Sequence, residues 1–261
     1  MVRGYLLLFP AEKCAELLAT LKAYLNRTVA TKSELQSILG KLMWVAKAIK
    51  HSRCFVSRII SEIKTLSSQK QKTTLSIDLR KDLLWWYQYM CVFNGVELLL
   101  PDHISVEAAG DACPAGMGAW NKSNLEYFSC KFSFWLLDPA IPIHIKEFIC
   151  LITSVKIWGS KWAGKRCLIY CDNDAVCDVV TYQKPKDKEM QKYLREFLFF
   201  VCKYNFHPVI SKIGTKENKV ADFISRNFCK DDAEKFFNAE NLPPMNYIQI
   251  TEFDFDLVAD W

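Results

Sequence analysis

Residues 1–95 place apolar side chains at helical spacing. Ala15, Leu18, Leu21 and Leu25 recur along one face of Glu12–Leu25, the pattern of an amphipathic helix. Thr31 followed by Glu34 is a capping box, so a second helix starts there. Its apolar stripe is Leu35, Ile38, Leu39, Leu42, Val45, Ala46 and Ile49. Lys41 and Lys47 lie on its opposite face, followed by Lys50, His51, Arg53 and Arg58. A third helix opens after Ser76, runs through Leu83, Leu84, Trp85, Trp86 and Met90, and stops at Asn94–Gly95. The polar, basic stretch Ser67–Thr74 reads as a mobile loop. The stripe and the tryptophans read as core.

The period changes after Gly95. Ile104, Val106 and Ala108 alternate with Ser105, Glu107 and Ala109, which predicts a strand ending near Asp111. Pro114, Gly116 and Gly118 lead into a short strand through Trp120. Asn121–Asn124 is turn chemistry, and Leu125–Phe132 resumes as a strand. Three short strands joined by tight turns make an antiparallel meander. Pro139 and Pro142 then introduce a helix over Ile143–Trp158. Its apolar residues cover most of its circumference, so it is expected to be largely buried. The run Cys167–Asp172, bounded by Gly164 and by Asp172–Asn173, predicts a fully buried strand. A short helix Asp174–Tyr182, a charged loop Lys184–Lys188, a helix Asp187–Tyr204 and a strand Phe206–Ile213 follow. The last helix is expected to be capped by Asn218 and to contain Val220, Asp222, Phe223 and Arg226. The element order is βββαβααβα, without internal repeats.

Charge divides the chain in a way its net value of +5 hides. Residues 231–261 hold eight acids and Lys235, a net of −7, so residues 1–230 carry +12. The helical part alone holds 15 basic and 6 acidic residues, a net of +9. A basic body fits a polyanionic partner such as nucleic acid, or simply a soluble basic surface. Pro243–Pro244 and the aromatic, acidic stretch Glu252–Trp261 read as a tail. Phe253, Phe255 and Trp261 leave open that it docks. Eleven cysteines include no Cys-x-x-Cys pair, and Cys150, Cys167, Cys171 and Cys202 lie in apolar runs as small hydrophobes. We therefore expect a reducing compartment and no metal bound by thiolates. No apolar run is long enough to span a membrane, and Met1–Pro10 lacks the features of a signal peptide. An intracellular protein, cytoplasmic or nuclear, is expected.

Four carboxylates fall in matching settings. Asp111 closes the first strand of the meander beside Gly110 and Ala112. Glu147 lies early in an apolar helix, Asp172 ends the buried strand, and Asp222 lies in the first turns of the last helix. Taken singly, each has a plain reading as a solvated or capping residue; Asp172 could cap the helix that follows it. Taken together they imply more. A buried acid without a partner costs several kcal/mol. If the first and fourth strands are neighbours, Asp111 and Asp172 lie side by side, and like charges that close need a counter-ion. A hard divalent cation with oxygen ligands resolves this. Two such ions about 3.5–4 Å apart can activate a water and stabilise a leaving oxygen.

The motifs Gly110-Asp111-Ala112-Cys113-Pro114-Ala115-Gly116-Met117-Gly118-Ala119, Lys146-Glu147, Cys171-Asp172-Asn173 and Asn218-Lys219-Val220-Ala221-Asp222-Phe223-Ile224-Ser225-Arg226 resemble ribonuclease H domains of retroelement reverse transcriptases. Within that family they are most similar to the DIRS-type tyrosine-recombinase retrotransposons. Leu39-Gly40-Lys41-Leu42 and Arg80-Lys81-Asp82-Leu83-Leu84-Trp85-Trp86 resemble the thumb and connection that precede such a domain. The resemblance covers about residues 1–230 and implies three parts. These are a helical thumb/connection-like segment at 1–95, a ribonuclease H-like domain at 96–230 and an acidic tail at 231–261. The implied fold is α/β, a mixed five-stranded sheet flanked by helices.

The implied activity is divalent-metal-dependent endonucleolytic cleavage of the RNA strand of an RNA–DNA hybrid. Asp111, Glu147, Asp172 and Asp222 would act as catalytic residues holding two Mg²⁺, or Mn²⁺. The implied partners are the hybrid and the polymerase portion of a reverse transcriptase, with no membrane. The alternative is a catalytically inactive or domesticated nucleic-acid-binding module of the same fold. Two departures stand out. Many relatives carry a His before the last helix, where this chain has Lys212-Ile213-Gly214-Thr215-Lys216. Nothing matches the polymerase palm, so the chain is expected to be a piece of a larger element product that does not itself polymerise.

Overall fold

The computed structural model describes residues 6–8, 10–47, 49, 51–93, 96–98, 103–183, 185, 188–251 and 257. Several sequence expectations fall outside them: the stop at Asn94–Gly95, the loop residues Lys184, Lys186 and Asp187, and Phe253, Phe255 and Trp261. The chain divides into two compact units, one within Met1–Leu99 and one within Leu100–Val258.

The first unit is helical with two small sheets. Strand β1 (Leu6–Leu8) precedes α1 (Ala11–Leu25), β2 (Val29–Thr31), α2 (Lys32–Val45), α3 (Ser57–Thr65), β3 (Lys72–Thr74), α4 (Ile77–Val92) and β4 (Val96–Leu98). The expected capping box is present at Thr31 and Glu34, and Ser76 caps α4 through the backbone N–H of Leu79. Leu21, Leu35, Leu42, Phe55, Trp85 and Trp86 are fully buried. Phe55 stacks on Trp85 with ring centroids 3.8 Å apart, so both tryptophans are core. Two expectations are corrected. The end of the Ser67–Thr74 loop is ordered as β3, which pairs antiparallel with β2. Helix α3 was not anticipated; it is nine residues long and buries only Ile59 fully, although Ile59 and Ile63 stand at helical spacing.

The second unit is a mixed sheet with helices on both faces. It runs β5 (Val106–Ala112), β6 (Gly116–Asn121), β7 (Glu126–Lys131), α5 (Ile143–Trp158), β8 (Arg166–Cys171), α6 (Asp174–Tyr182), α7 (Lys188–Tyr204), β9 (His207–Lys212), α8 (Lys219–Arg226), α9 (Lys230–Ala239) and β10 (Asn246–Tyr247). The strand order is β10-β7-β6-β5-β8-β9. The meander β5–β7 is antiparallel, and β8 and β9 run parallel to β5. The expected five strands are all present. The count is corrected to six, because β10 adds in parallel to the outer edge of β7.

Helices α5 and α8 lie on opposite faces of this sheet, and glycine decides how closely α8 approaches. A Cβ on Gly110 would meet Cys150 Sγ of α5, whereas one on Gly118 would lie 2.6 Å from the Ile224 carbonyl carbon and 2.7 Å from the Ser225 nitrogen of α8. Those are backbone atoms and cannot rotate away. Gly118→Ala is therefore expected to lose at least about 3 kcal/mol of stability, above the usual range for one added methyl in a core. Urea unfolding measures it. A loss below about 1 kcal/mol would mean that α8 does not seat against β6 in this way.

Residues 231–261 were expected to be an acidic tail. The structure corrects this over residues 230–247, which pack on the sheet. Ala233, Phe237 and Met245 are buried against Tyr127, Val220 and Ile224. Phe237 meets the Tyr127 ring edge-on at 4.9 Å, and Phe236 stacks on Phe223 at 4.0 Å. The acids lie on the exposed side of α9, so charge hid an apolar face at Ala233, Phe236 and Phe237. Phe237→Ala is expected to cost about 3–5 kcal/mol. Ending the chain at Cys229 should lower the melting temperature at least as much. Unchanged melting in both would restore the tail reading.

Candidate functional site

Strand pairing brings the first two acids together. Ala109 of β5 faces Tyr170 of the parallel strand β8. Two residues further along each chain stand Asp111 and Asp172, at the carboxyl ends of adjacent strands, where open α/β sheets present ligand sites. The capping alternative for Asp172 is filled by its neighbour. Asn173 Oδ1 accepts from the backbone nitrogens of Ala175 (3.0 Å) and Val176 (3.4 Å), so the cap of α6 is Asn173.

Glu147 reaches the same place from α5. Pro142 starts that helix, and Glu147 follows one turn in, buried. Its carboxyl hydrogen-bonds to Asp111 and accepts from the Ala112 backbone N–H. One ligand atom each from Glu147, Cys171 and Asp172 lies within 4.8 Å of the others.

Asp222 comes from α8. The arginine one turn later binds it, with Arg226 Nε and a terminal guanidinium nitrogen each 2.8 Å from Asp222 Oδ1. Its charge is felt at Asp111. Ser225 ties this helix to the strand: its hydroxyl donates to Asp111 Oδ2 at 2.5 Å. Asn218 corrects an expectation. Its side chain makes no cap bond; instead Nδ2 donates to the Gly110 carbonyl at 3.2 Å, pinning the start of α8 beside Asp111. In the loop before α8, Thr215 Oγ1 donates to Asp172 Oδ2 at 3.2 Å.

The electrostatics follow from crowding acids in a half-dry cleft. Burial, then the charges of Asp111 and Asp172, push Glu147 from 4.5 up to about 9, against the opposing pull of the Ala112 N–H. Burial also raises Asp111; the Ser225 hydroxyl opposes it, and Asp172 and Asp222 add to it. At neutral pH without a cation, Glu147 is thus a neutral acid donating to the Asp111 carboxylate.

All four predicted acids therefore face one end of the sheet, Asp222 on its rim. The pattern reading missed Ser225, Thr215 and Cys171 as neighbours of the acids. Ser225 had a signal, since it stands three residues after Asp222 on one helical face. Thr215 lies in a loop with no period to read. Cys171 was taken as core, as its place in an apolar strand suggested; among the described residues no cysteine is held in a disulfide.

No family model and no curated protein matches the chain. Solved structures do. Ribonuclease H1 from Halobacterium salinarum NRC-1 is 14% identical, with a TM-score of 0.36 over 48% of this chain and 98% of that one. The N-terminal ribonuclease H domain of a Mycobacterium tuberculosis protein is 14% identical, with a TM-score of 0.33 over 51% and 99%. The foamy viral protease–reverse transcriptase, solved in complex with an RNA/DNA hybrid, is 14% identical with a TM-score of 0.30; the match covers 77% of this chain and 27% of that one. Among the described residues, no helix is long and apolar enough to cross a membrane.

Proposed function

We propose that the second unit is a divalent-cation-dependent nuclease that cuts the RNA strand of RNA–DNA hybrids. Asp111, Glu147, Asp172 and Asp222 are its cation-holding residues. The observation that carries this reading is the crowding of Asp111, Glu147 and Asp172, from β5, α5 and the end of β8, which pushes the Glu147 carboxyl up to about 9, with the charge of Asp222 from α8 also reaching Asp111. Folding has gathered like charges at a net cost, which a ligand of opposite sign offsets. The donor set fits a hard ion, because carboxylate oxygens are what Mg²⁺ and Mn²⁺ prefer. When bound, such ions supply an activated water and stabilisation of the departing oxygen.

The protein's own groups do the rest. Ser225 and the Ala112 N–H fix the orientation of Asp111 and Glu147. Arg226 holds Asp222 at the rim and offers a guanidinium to a phosphate. The motif resemblance to retroelement reverse transcriptases favours a hybrid substrate. It also favours a larger polypeptide in which a polymerase acts beside this unit. Residues 1–95, with their net charge of +9, are proposed as the part that adds affinity for the backbone of the hybrid.

The test is incubation of the full chain with end-labelled RNA–DNA hybrid, with Mg²⁺ or with chelator. Cleavage of the RNA strand in Mg²⁺ and none in chelator is the expected result. Hybrid binding without cleavage under either condition would favour the inactive binding module instead.

A further inference from the structure

A thiol stands inside this carboxylate cluster. Along β8 the buried positions alternate, Cys167, Ile169, Cys171, and this alternation turns Cys171 toward Glu147 of α5 while Asp172 continues past the strand end. Cys171 is 5% exposed and Glu147 6%. One donor atom from each of Glu147, Cys171 and Asp172 falls within 4.8 Å of the other two. A second thiol, Cys177 at the end of the first turn of α6, donates to the Cys171 backbone carbonyl at 3.6 Å from outside this trio.

We infer that Cys171 makes the cluster a site for a thiophilic divalent cation of the Zn²⁺ class, bound by Cys171 Sγ and by carboxylate oxygens of Glu147 and Asp172. The inference extends the proposal that the cluster is a cation site. It adds a ligand and changes which ions the site prefers. A site built of oxygens discriminates weakly against softer ions, whereas a thiolate adds affinity for Zn²⁺ and Cd²⁺ and almost none for Mg²⁺. Zinc bonds of about 2.3 Å to sulfur and about 2.0–2.2 Å to oxygen require the three donors to draw in by about 1 Å, within reach of side-chain rotation. The fourth tetrahedral position is left to water. On binding, the Cys171 thiol and the Glu147 carboxyl release their protons to solvent. The same two acids cannot then serve a pair of hard ions, so Zn²⁺ competes with Mg²⁺ for the site.

The test uses the metals alone on the full chain. With one equivalent of Zn²⁺, X-ray absorption fine structure at the zinc edge is expected to show a mixed first shell containing sulfur and oxygen. Titration with Cd²⁺ should raise an ultraviolet sulfur-to-cadmium charge-transfer band. Cys171→Ser should weaken the first binding event by at least about 10–100-fold, the range known for removing even outer-shell support of a metal site. Glu147→Gln should weaken the same event, while Cys229→Ser, at an exposed thiol, should leave it unchanged.

An all-oxygen zinc shell in the wild-type protein would overturn the inference without any variant having to fold. So would equal Cd²⁺ affinity in Cys171→Ser, or a sulfur-containing site indifferent to Glu147→Gln. The two readings separate cleanly. Mg²⁺-dependent cleavage with an all-oxygen zinc shell sinks this inference alone. A mixed zinc shell in a protein that binds hybrid but never cleaves it sinks the nuclease reading alone.

Discussion

Glu147→Gln is expected to stabilise the cation-free protein at pH 8 and to leave it unchanged at pH 5. The reason is a carboxyl whose folded value, about 9, lies far above its ordinary 4.5. The folded state therefore holds that proton more tightly than the unfolded chain. Its contribution is fully present below about pH 4.5 and is lost as pH rises through about 9. At pH 7 the loss already amounts to about 3 kcal/mol. Glutamine mimics the protonated acid: its amide donates to Asp111 and its oxygen accepts from the Ala112 N–H, and it does not titrate. For a domain of this size, the loss of about 5 kcal/mol reached at pH 8 means that the variant should melt higher than wild type by about 10–20 °C there, and the two should converge at low pH. Added Mg²⁺ should close the gap from the other side, stabilising wild type far more than the variant, because binding to the folded state alone raises apparent stability. Differential scanning calorimetry across pH 5–9, with chelator and with Mg²⁺, makes the measurement. Parallel pH curves for the two proteins would show that Glu147 is not the strained member of the cluster.

Much of this arrangement was legible in the residues, for a physical reason. The meander, α5 and β8 have strong, unmixed periods, because a sheet covered on both faces needs buried strands and a buried helix. Helix α5 spans the residues its pattern predicted, Ile143–Trp158. The acids could be read as a group because each ends or begins an element, and element ends converge where strands run parallel. What stayed hidden was set by tertiary contact. Asn218 looks like a helix cap, yet spends its amide on the Gly110 carbonyl. Residues 231–261 look like a solvated tail by charge, yet Phe237 packs on Tyr127. Cys171 looks like any core cysteine until the strand register and the start of α5 bring it to Glu147. Composition averages over a segment and cannot resolve one buried face of a ten-residue helix.

Asp172→Asn is expected to cut Mg²⁺-dependent cleavage of hybrid by roughly 10²–10³-fold, a loss of about 3–4 kcal/mol of transition-state stabilisation. The substitution keeps the size of the side chain. An asparagine there can still accept from the Thr215 hydroxyl, which lies 3.2 Å from Asp172 Oδ2, and the cap of α6 is untouched because Asn173 makes it. Packing is thus preserved, and the change is one formal negative charge among the proposed cation-holding groups. Removing that charge weakens the attraction for divalent ions and relieves the repulsion felt at Asp111 and Glu147. Binding should move the opposite way from catalysis. In chelator the variant should hold hybrid at least as well as wild type, since one fewer anion faces the phosphates and the basic residues of the first unit are intact. Cleavage rates and hybrid affinities measured in parallel, over a range of Mg²⁺ concentrations, separate the two effects. A variant that cleaves near the wild-type rate at every Mg²⁺ concentration removes Asp172 from the site. A variant that loses cleavage and hybrid binding together shows that the carboxylate supports the fold of the cleft rather than its chemistry.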